Sequence, residues 1–85
     1  MKSFTFVIRD ELGIHARPAG LLVKEVKRYR STIKIKKGDK TVSAEQLLAI
    51  MGLCAKKHDE VEVTVEGTDE EAAYTAIESF FNKNL

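Results

Sequence analysis

One short stretch of the sequence, Gly13 to Ala19 (GIHARPA), places a nucleophile two residues before an anion-binding side chain. A neutral imidazole such as that of His15 is nucleophilic near pH 7. A phosphoryl group on its nitrogen leaves readily, because a P–N bond is weaker toward nucleophiles than a phosphate ester. Arg17 supplies a permanent positive charge and a planar fork of N–H donors that fits phosphate oxygens. These residue types at this spacing favour a site that receives a phosphoryl group and passes it on.

The pattern around His15 predicts that this residue lies at the start of a helix. Apolar residues recur at three- and four-residue spacing from Ala16 to Tyr29, which predicts an amphipathic helix with His15 as its N-cap. Pro18 then falls in the first turn, where its missing N–H removes no helical hydrogen bond. The amides of Ala16 and Arg17 would point outward at the positive end of the helix dipole. A phosphoryl group is the anion that best suits such a place.

Hydrophobic periodicity also predicts the elements that position this site. Alternating apolar and polar residues indicate strands near 4–8, 32–36, 41–42 and 61–65. Capping boxes that begin at Ser43 and Thr68 predict two more helices, over about 44–54 and along the apolar stripe 72–81. The order βαββαβα predicts an α+β open-faced two-layer sandwich, in which a four-stranded, largely antiparallel sheet carries three helices on one face.

Composition and length favour one domain over residues 1–85, with 44% hydrophobic and 32% charged residues, as in ordinary globular proteins. No segment approaches the roughly 18 to 20 apolar residues of a membrane-spanning helix. The lone Cys54 cannot form an internal disulfide, and Arg9 interrupts the N-terminus before a signal-peptide hydrophobic region could form. We therefore expect a cytoplasmic protein without membrane insertion.

The small net charge hides an asymmetry between the two halves of the chain. Residues 1–42 contain eleven lysines and arginines against four carboxylates, whereas residues 43–85 contain three against nine. A basic surface on the half that carries His15 would speed association with an acidic or phosphorylated partner. The alternative is that these charges only solvate exposed faces.

In this setting GIHARPA, followed by Leu21-Leu-Val23, resembles HPr, the family of histidine-containing phosphocarrier proteins of the bacterial phosphoenolpyruvate-dependent sugar phosphotransferase system. The resemblance continues through the GDKTV stretch that ends at Val42 and through the order of elements, so it covers essentially the whole chain. It implies that His15 accepts a phosphoryl group from Enzyme I and donates it to a sugar-specific EIIA domain. Arg17 and the amides of Ala16 and Arg17 would contact the phosphate. Such a protein is a relay intermediate rather than an enzyme, and it needs no cofactor or metal.

The middle helix is apolar on more of its surface than one buried face requires. One side holds Ala44, Leu47, Leu48 and Met51, and another holds Ile50, Leu53 and Cys54. The sequence alone does not decide which side is exposed, and both sides could serve the core of so small a protein. The resemblance implies that Leu47, Leu48 and Met51 form an exposed patch beside His15, where methionine suits a surface that adapts to several partners. The rest of the predicted docking surface is Arg17, Gly20, Lys24 and Lys27.

The chain departs from the family pattern at Gln46. Many relatives have at this position a serine that a dedicated kinase phosphorylates, and glutamine has no hydroxyl. We therefore expect no regulatory serine, and docking to that kinase and to a catabolite-control regulator is in doubt. Ser43 lies nearby, but its predicted capping role explains it without modification.

Three alternatives stay open at this point. Gln46 motivates an HPr paralogue of a regulatory or nitrogen-related branch. A non-phosphorylated module that binds a regulatory partner is the second, and a nucleic-acid binder the third. The last is disfavoured because the open sheet face lacks aromatic platforms for bases. We expect His58 to be a solvated loop residue, Cys54 a semi-buried filler, and the protein a monomer that exposes its docking face.

Overall fold

The computed structural model describes all 85 residues. It contains four strands and three helices in the order that the sequence predicts. The strands are β1 (Lys2–Val7), β2 (Thr32–Lys37), β3 (Lys40–Ser43) and β4 (Glu60–Glu66). The helices are α1 (Ala16–Val26), α2 (Leu47–Gly52) and α3 (Glu70–Asn84). None of the helices combines the length and the apolar character needed to cross a membrane.

The four strands form one sheet in the order β1-β4-β2-β3, and every neighbouring pair is antiparallel. Val63 of β4 lies near the middle of the sheet, opposite Phe4 on one side and Ile35 on the other. The helices pack on one face of this sheet, because the strands turn alternate apolar residues toward them. The predicted α+β open-faced sandwich is therefore confirmed.

The core lies between the sheet and the helices. The aromatic ring of Phe81 in α3 is fully buried and meets the rings of Phe4 and Phe6 edge-on, with centroids 5.6 and 5.4 Å apart. Leu22 and Val26 of α1 are buried in the same cluster of apolar side chains. The orientation of α1 is therefore fixed by the core.

The prediction that Ser43 caps the middle helix was wrong. Ser43 is the last residue of β3, where it pairs with Lys34, and the next amide, that of Ala44, still donates to a carbonyl of β2 at 2.9 Å. The Ser43 hydroxyl accepts only from the amide of Glu45, at 3.2 Å. Because the strand ladder holds this segment extended, α2 begins at Leu47 with Gln46 as its N-cap, and Ala44 belongs to the core.

The N-cap of α3 was also predicted one residue early. Asp69 rather than Thr68 occupies that position, and its carboxylate bonds no amide of its own helix. It accepts instead from the Arg30 amide at 2.9 Å, the Ser31 amide at 3.0 Å and the Ser31 hydroxyl at 2.6 Å. The long-range contact competes with local capping, and Asp69 thereby ties the start of α3 to the segment that enters β2.

Helix α1 ends at Val26, three residues before the predicted end. The amides of Arg28 and Tyr29 bond to carbonyls three residues earlier, at 3.1 and 3.2 Å, so the helix tightens into a turn. Helix α2 likewise ends at Gly52, two residues early.

Candidate functional site

His15 lies at the N-cap of α1, as predicted. Its backbone is extended, with φ −112° and ψ −178°, and its side chain makes no capping hydrogen bond. The carbonyl of His15 accepts the first helical hydrogen bond, from the amide of Ala19 at 3.0 Å. The side chain is 35% exposed. The backbone of His15 is therefore fixed at the start of the helix, while its imidazole remains accessible to a reacting partner.

The loop before His15 is fixed by Gly13 and Ile14. Gly13 has φ +67°, in the left-handed region, and a Cβ at this position would overlap the carbonyl oxygen of Ala55. The same oxygen accepts from the amide of Ile14 at 2.9 Å, and the Ile14 side chain is buried. This close approach of two backbone segments requires glycine. It sets the direction in which the chain enters α1.

The first turn of α1 offers two unpaired amides. Ala16 and Arg17 have no hydrogen-bond partner for their N–H groups, and Pro18 has no N–H to leave unpaired. The first turn itself contains no acidic residue that would offset the positive end of the helix dipole. Because the Ala16 and Arg17 amides directly follow His15, they can receive the oxygens of a group bound to its imidazole.

His15 and Arg17 line the same cleft, whose volume is about 300 Å³. The full set of lining residues is Asp10, His15, Arg17, Pro18, Leu21, Lys83 and Asn84. Lys83, in the last turn of α3, adds a second cation to the cleft. The opposite charge comes from Asp10, whose Oδ2 lies 3.9 Å from Nε2 of His15.

Asp10, Lys83 and Asn84 were not predicted as residues of this site from the sequence. Lys83 and Asn84 lie about seventy residues from His15 along the chain, and only the packing of α3 brings them to the cleft. Asp10 is only five residues from His15, but its placement depends on the left-handed turn at Gly13. The only signal for Asp10 in the sequence was an acidic residue shortly before the histidine. Hydrophobic periodicity does not predict where the side chain of a loop residue points.

The structure also settles which side of α2 is exposed. Leu48 is 81% exposed, Leu47 39% and Met51 36%, whereas Ile50 and Leu53 are buried. We call the three exposed side chains, Leu47, Leu48 and Met51, the apolar patch. It lies on the helix that packs beside α1. An apolar cluster of this kind on a small protein is typical of an interaction surface.

The other predicted docking residues lie on α1. Lys24 and Lys27 are exposed, at the last turn and the C-cap of the helix, and Arg17 is exposed at its first turn. Gly20 is half-buried, and a Cβ there would meet no atom within 4 Å. The packing of this chain therefore does not require glycine at position 20.

The remaining singled-out residues lie apart from the cleft. Gln46 is exposed at the N-cap of α2, and His58 is exposed in the loop before β4. Cys54, predicted to be semi-buried, is exposed with φ +53°, because it lies in the turn that leaves α2. No three histidine, cysteine, aspartate or glutamate side chains are arranged to hold a metal ion.

The sequence and the fold both match known proteins. The family model described as "PTS HPr component phosphorylation site" matches residues 2–83. The phosphocarrier protein HPr of Lysinibacillus sphaericus is 38% identical over 77 residues, which cover 91% of this chain and 88% of that protein. Three observations together define the class of protein: the histidine at the N-terminus of α1, the open-faced sandwich, and the family model that spans nearly the whole chain. The chain belongs to the HPr family of phosphocarrier proteins.

Solved structures of this family share the architecture. The histidine-containing phosphocarrier protein of a mycoplasma superposes with a TM-score of 0.93 at 29% identity, covering 96% of this chain and 93% of that one. HPr of Thermoanaerobacter tengcongensis gives a TM-score of 0.87 at 37% identity, with both chains fully covered.

Proposed function

We propose that residues 1–85 act as one cytoplasmic domain that carries a phosphoryl group on His15 between two partners of the sugar phosphotransferase system. Enzyme I, charged from phosphoenolpyruvate, is the donor, and EIIA domains of sugar permeases are the acceptors. The observation that carries this proposal is the position of His15 at the start of α1, beside two unpaired amides and Arg17.

Each of these groups has a part in the proposed transfer. A ring nitrogen of His15 attacks phosphorus, while the bond between phosphorus and the donor breaks and its electron pair leaves with the donor. The transferring group carries its negative charge on three oxygens, so positive groups around it lower the barrier. The Ala16 and Arg17 amides, the helix dipole and the Arg17 guanidinium supply them. The site stays open to solvent, so an acceptor can reach the phosphorus on the opposite side.

The apolar patch and the basic face of α1 are the proposed docking surface for both partners. Leu48 has little to contact within its own chain, and Lys24 and Lys27 provide long-range attraction to an acidic surface. One surface used in turn by donor and acceptor suits a monomer that leaves this face free. Gly20, on the same helix, allows a partner backbone to approach α1 closely.

Gln46 distinguishes this chain from relatives that are regulated on a serine. Its exposed side chain at the N-cap of α2 offers no hydroxyl to a kinase. We therefore propose that sugar-system transfer runs without a serine switch. A place in a regulatory or nitrogen-related branch is the second candidate, and it differs in the acceptor rather than in the chemistry at His15.

The proposed relay is tested by reconstitution with labelled phosphoenolpyruvate, Enzyme I and a purified EIIA domain. We expect label on EIIA only when the wild-type chain is present, and none with His15→Ala. Label that stops on the chain and never reaches any sugar-specific EIIA would favour the regulatory branch. No label on a folded wild-type chain would refute the relay and favour a partner-binding module.

A further inference from the structure

Helix α2 carries the apolar patch but contributes little to the core itself. It is six residues long, and Ile50 is its only buried residue. A helix of this length is not stable alone and depends on its surroundings. The orientation of α2 therefore depends on how the two ends of its segment are held.

Strand β2 holds both ends of the segment that contains α2. On the N-terminal side, the amide of Ala44 donates to the carbonyl of Ile33 at 2.9 Å. On the C-terminal side, Nζ of Lys37 donates to the carbonyls of Leu53 at 3.2 Å and Cys54 at 3.0 Å. The segment that carries the apolar patch is thus tied to one strand at both ends.

Lys37 is the donor that the end of α2 lacks. No backbone amide bonds to the carbonyl of Leu53 or Cys54, and α2 has no basic residue in its own last turn. A cation at the C-terminal end of a helix is favourable, because it offsets the negative end of the helix dipole. Cys54 also has φ +53°, which is unfavourable for a residue with a Cβ, so this turn needs contacts that hold it. Lys37 supplies both the charge and the contacts from β2.

Asp59 keeps the ammonium of Lys37 in this position. Its Oδ2 lies 3.2 Å from Nζ of Lys37 and accepts from the amide of Lys56 at 2.8 Å. The Lys56 amide, followed by the Lys37 side chain, holds the pKa of Asp59 below its ordinary 3.8, so the carboxylate is ionised near neutral pH. The three N–H donors of the ammonium thus have three acceptors, one from Asp59 and two at the end of α2.

From these contacts we propose that Lys37 is a positioning residue for partner docking. Its ammonium fixes the C-terminal end of α2 and so holds the apolar patch in the orientation that a partner contacts. The loop before His15 is held by a separate bond, from the Ile14 amide to the Ala55 carbonyl, so the chemistry at His15 does not depend on Lys37. This inference rests on the proposed function, because it names a residue that acts on the proposed docking surface.

Two neighbouring lysines provide a variant and its matched control. Lys37→Met removes the ammonium and keeps a long unbranched side chain. Lys36→Met is the control, because Lys36 is exposed on the same strand and lies opposite Glu62 on the face of the sheet that carries no helices. Both variants remove one positive charge from β2, so a general effect of charge on an acidic partner appears in both.

Isothermal titration calorimetry with Enzyme I and with an EIIA domain measures docking. We expect Kd to be about fivefold higher for Lys37→Met than for Lys36→Met with both partners, because the partner must restore an orientation that the ammonium no longer maintains. Phosphorylation by phosphoramidate, a small donor that releases ammonia and requires no protein partner, should proceed equally in both variants. A role in stability alone would leave Kd unchanged in a fully folded sample.

A double-mutant cycle with Leu48→Ala shows whether Lys37 acts through the apolar patch. If α2 is displaced in Lys37→Met, truncation of Leu48 costs less affinity in that background. The combined fold-change in Kd is then smaller than the product of the two single ones. Fold-changes that simply multiply would overturn the proposal, as would a folded Lys37→Met that binds both partners as tightly as Lys36→Met.

One measurement requires no variant. Nitrogen-15 NMR of the wild-type lysine ammonium groups should show restricted motion and slow proton exchange at Lys37, and rapid motion at Lys36. Equal mobility of the two groups would overturn the proposal even where Lys37→Met does not fold. Failure of the proposed function is a separate result, since wild type would then bind neither Enzyme I nor an EIIA domain, whereas failure of this inference alone leaves wild-type binding intact.

Discussion

Truncation of Leu48 tests the apolar patch most sharply. Leu48→Ala removes three side-chain carbons that are 81% exposed in the free protein. Full burial of three carbon groups at about 0.8 kcal/mol each would give about 2.4 kcal/mol, and because 81% of Leu48 is free to be buried by a partner, the variant loses about 1.9 kcal/mol of binding free energy. That loss corresponds to an increase of about 25-fold in Kd. Because the side chain contacts little of its own chain, the free energy of unfolding should change by less than about 0.5 kcal/mol.

The assay is isothermal titration calorimetry of the variant with Enzyme I and, separately, with an EIIA domain. We expect a similar loss of affinity for both partners, since the proposed surface is shared. Phosphorylation of His15 by phosphoramidate should be unchanged in Leu48→Ala, because this reaction involves no docking. Calorimetry thus measures partner recognition by α2, and the phosphoramidate reaction separately measures the chemistry at His15.

Val7→Ala is the matched control for Leu48→Ala. Val7 is 49% exposed at the end of β1, and the strand alternation turns it to the face of the sheet that carries no helices. We expect both Kd values to stay at the wild-type level in this variant. A Kd within twofold of wild type for Leu48→Ala, with both partners, would refute the docking role of the apolar patch.

Three further predictions concern Arg17, Asp69 and Phe81. Arg17→Lys keeps the charge but loses the planar fork, so kcat/KM for phosphoryl transfer from Enzyme I should fall about tenfold while the urea midpoint stays constant. The Ser31 hydroxyl bond, followed by the Arg30 amide, holds the pKa of Asp69 below its ordinary 3.8. Its stabilising contribution is complete above the unfolded-state pKa and is lost as pH falls through the lower native pKa. Asp69→Asn should therefore lower the urea midpoint at pH 7, and the difference from wild type should narrow below about pH 4. Phe81→Ala should reduce the free energy of unfolding by about 3 to 5 kcal/mol in urea titrations, because Phe81 is fully buried.

Much of this fold follows from local pattern. The alternation in β4 and the stripe in α1 each identify one buried face, and both signals depend only on neighbouring residues. His15 and Pro18 mark the start of α1 because proline is tolerated only in the first helical turn. The position of the nucleophile relative to the helix amides was therefore predictable from seven contiguous residues.

The features that sequence did not give depend on contacts between distant segments. Ser43 and Thr68 satisfy the local rule for an N-cap, but the β2–β3 ladder extends through Ser43 and the long-range bonds of Asp69 displace Thr68. Lys83 reaches the cleft only because α3 ends beside His15. The exposed side of α2 was ambiguous in the sequence for the same reason, since its burial depends on where the helix packs.

The central claim is that His15 carries the phosphoryl group. The most direct measurement is the intact mass of the protein after incubation with phosphoenolpyruvate and Enzyme I, before and after mild acid, for wild type and His15→Ala. We predict the gain of one phosphoryl group in wild type, its loss in mild acid, and no gain in the variant. An acid-stable adduct, or the same gain in folded His15→Ala, would place the phosphoryl group elsewhere and contradict the assignment.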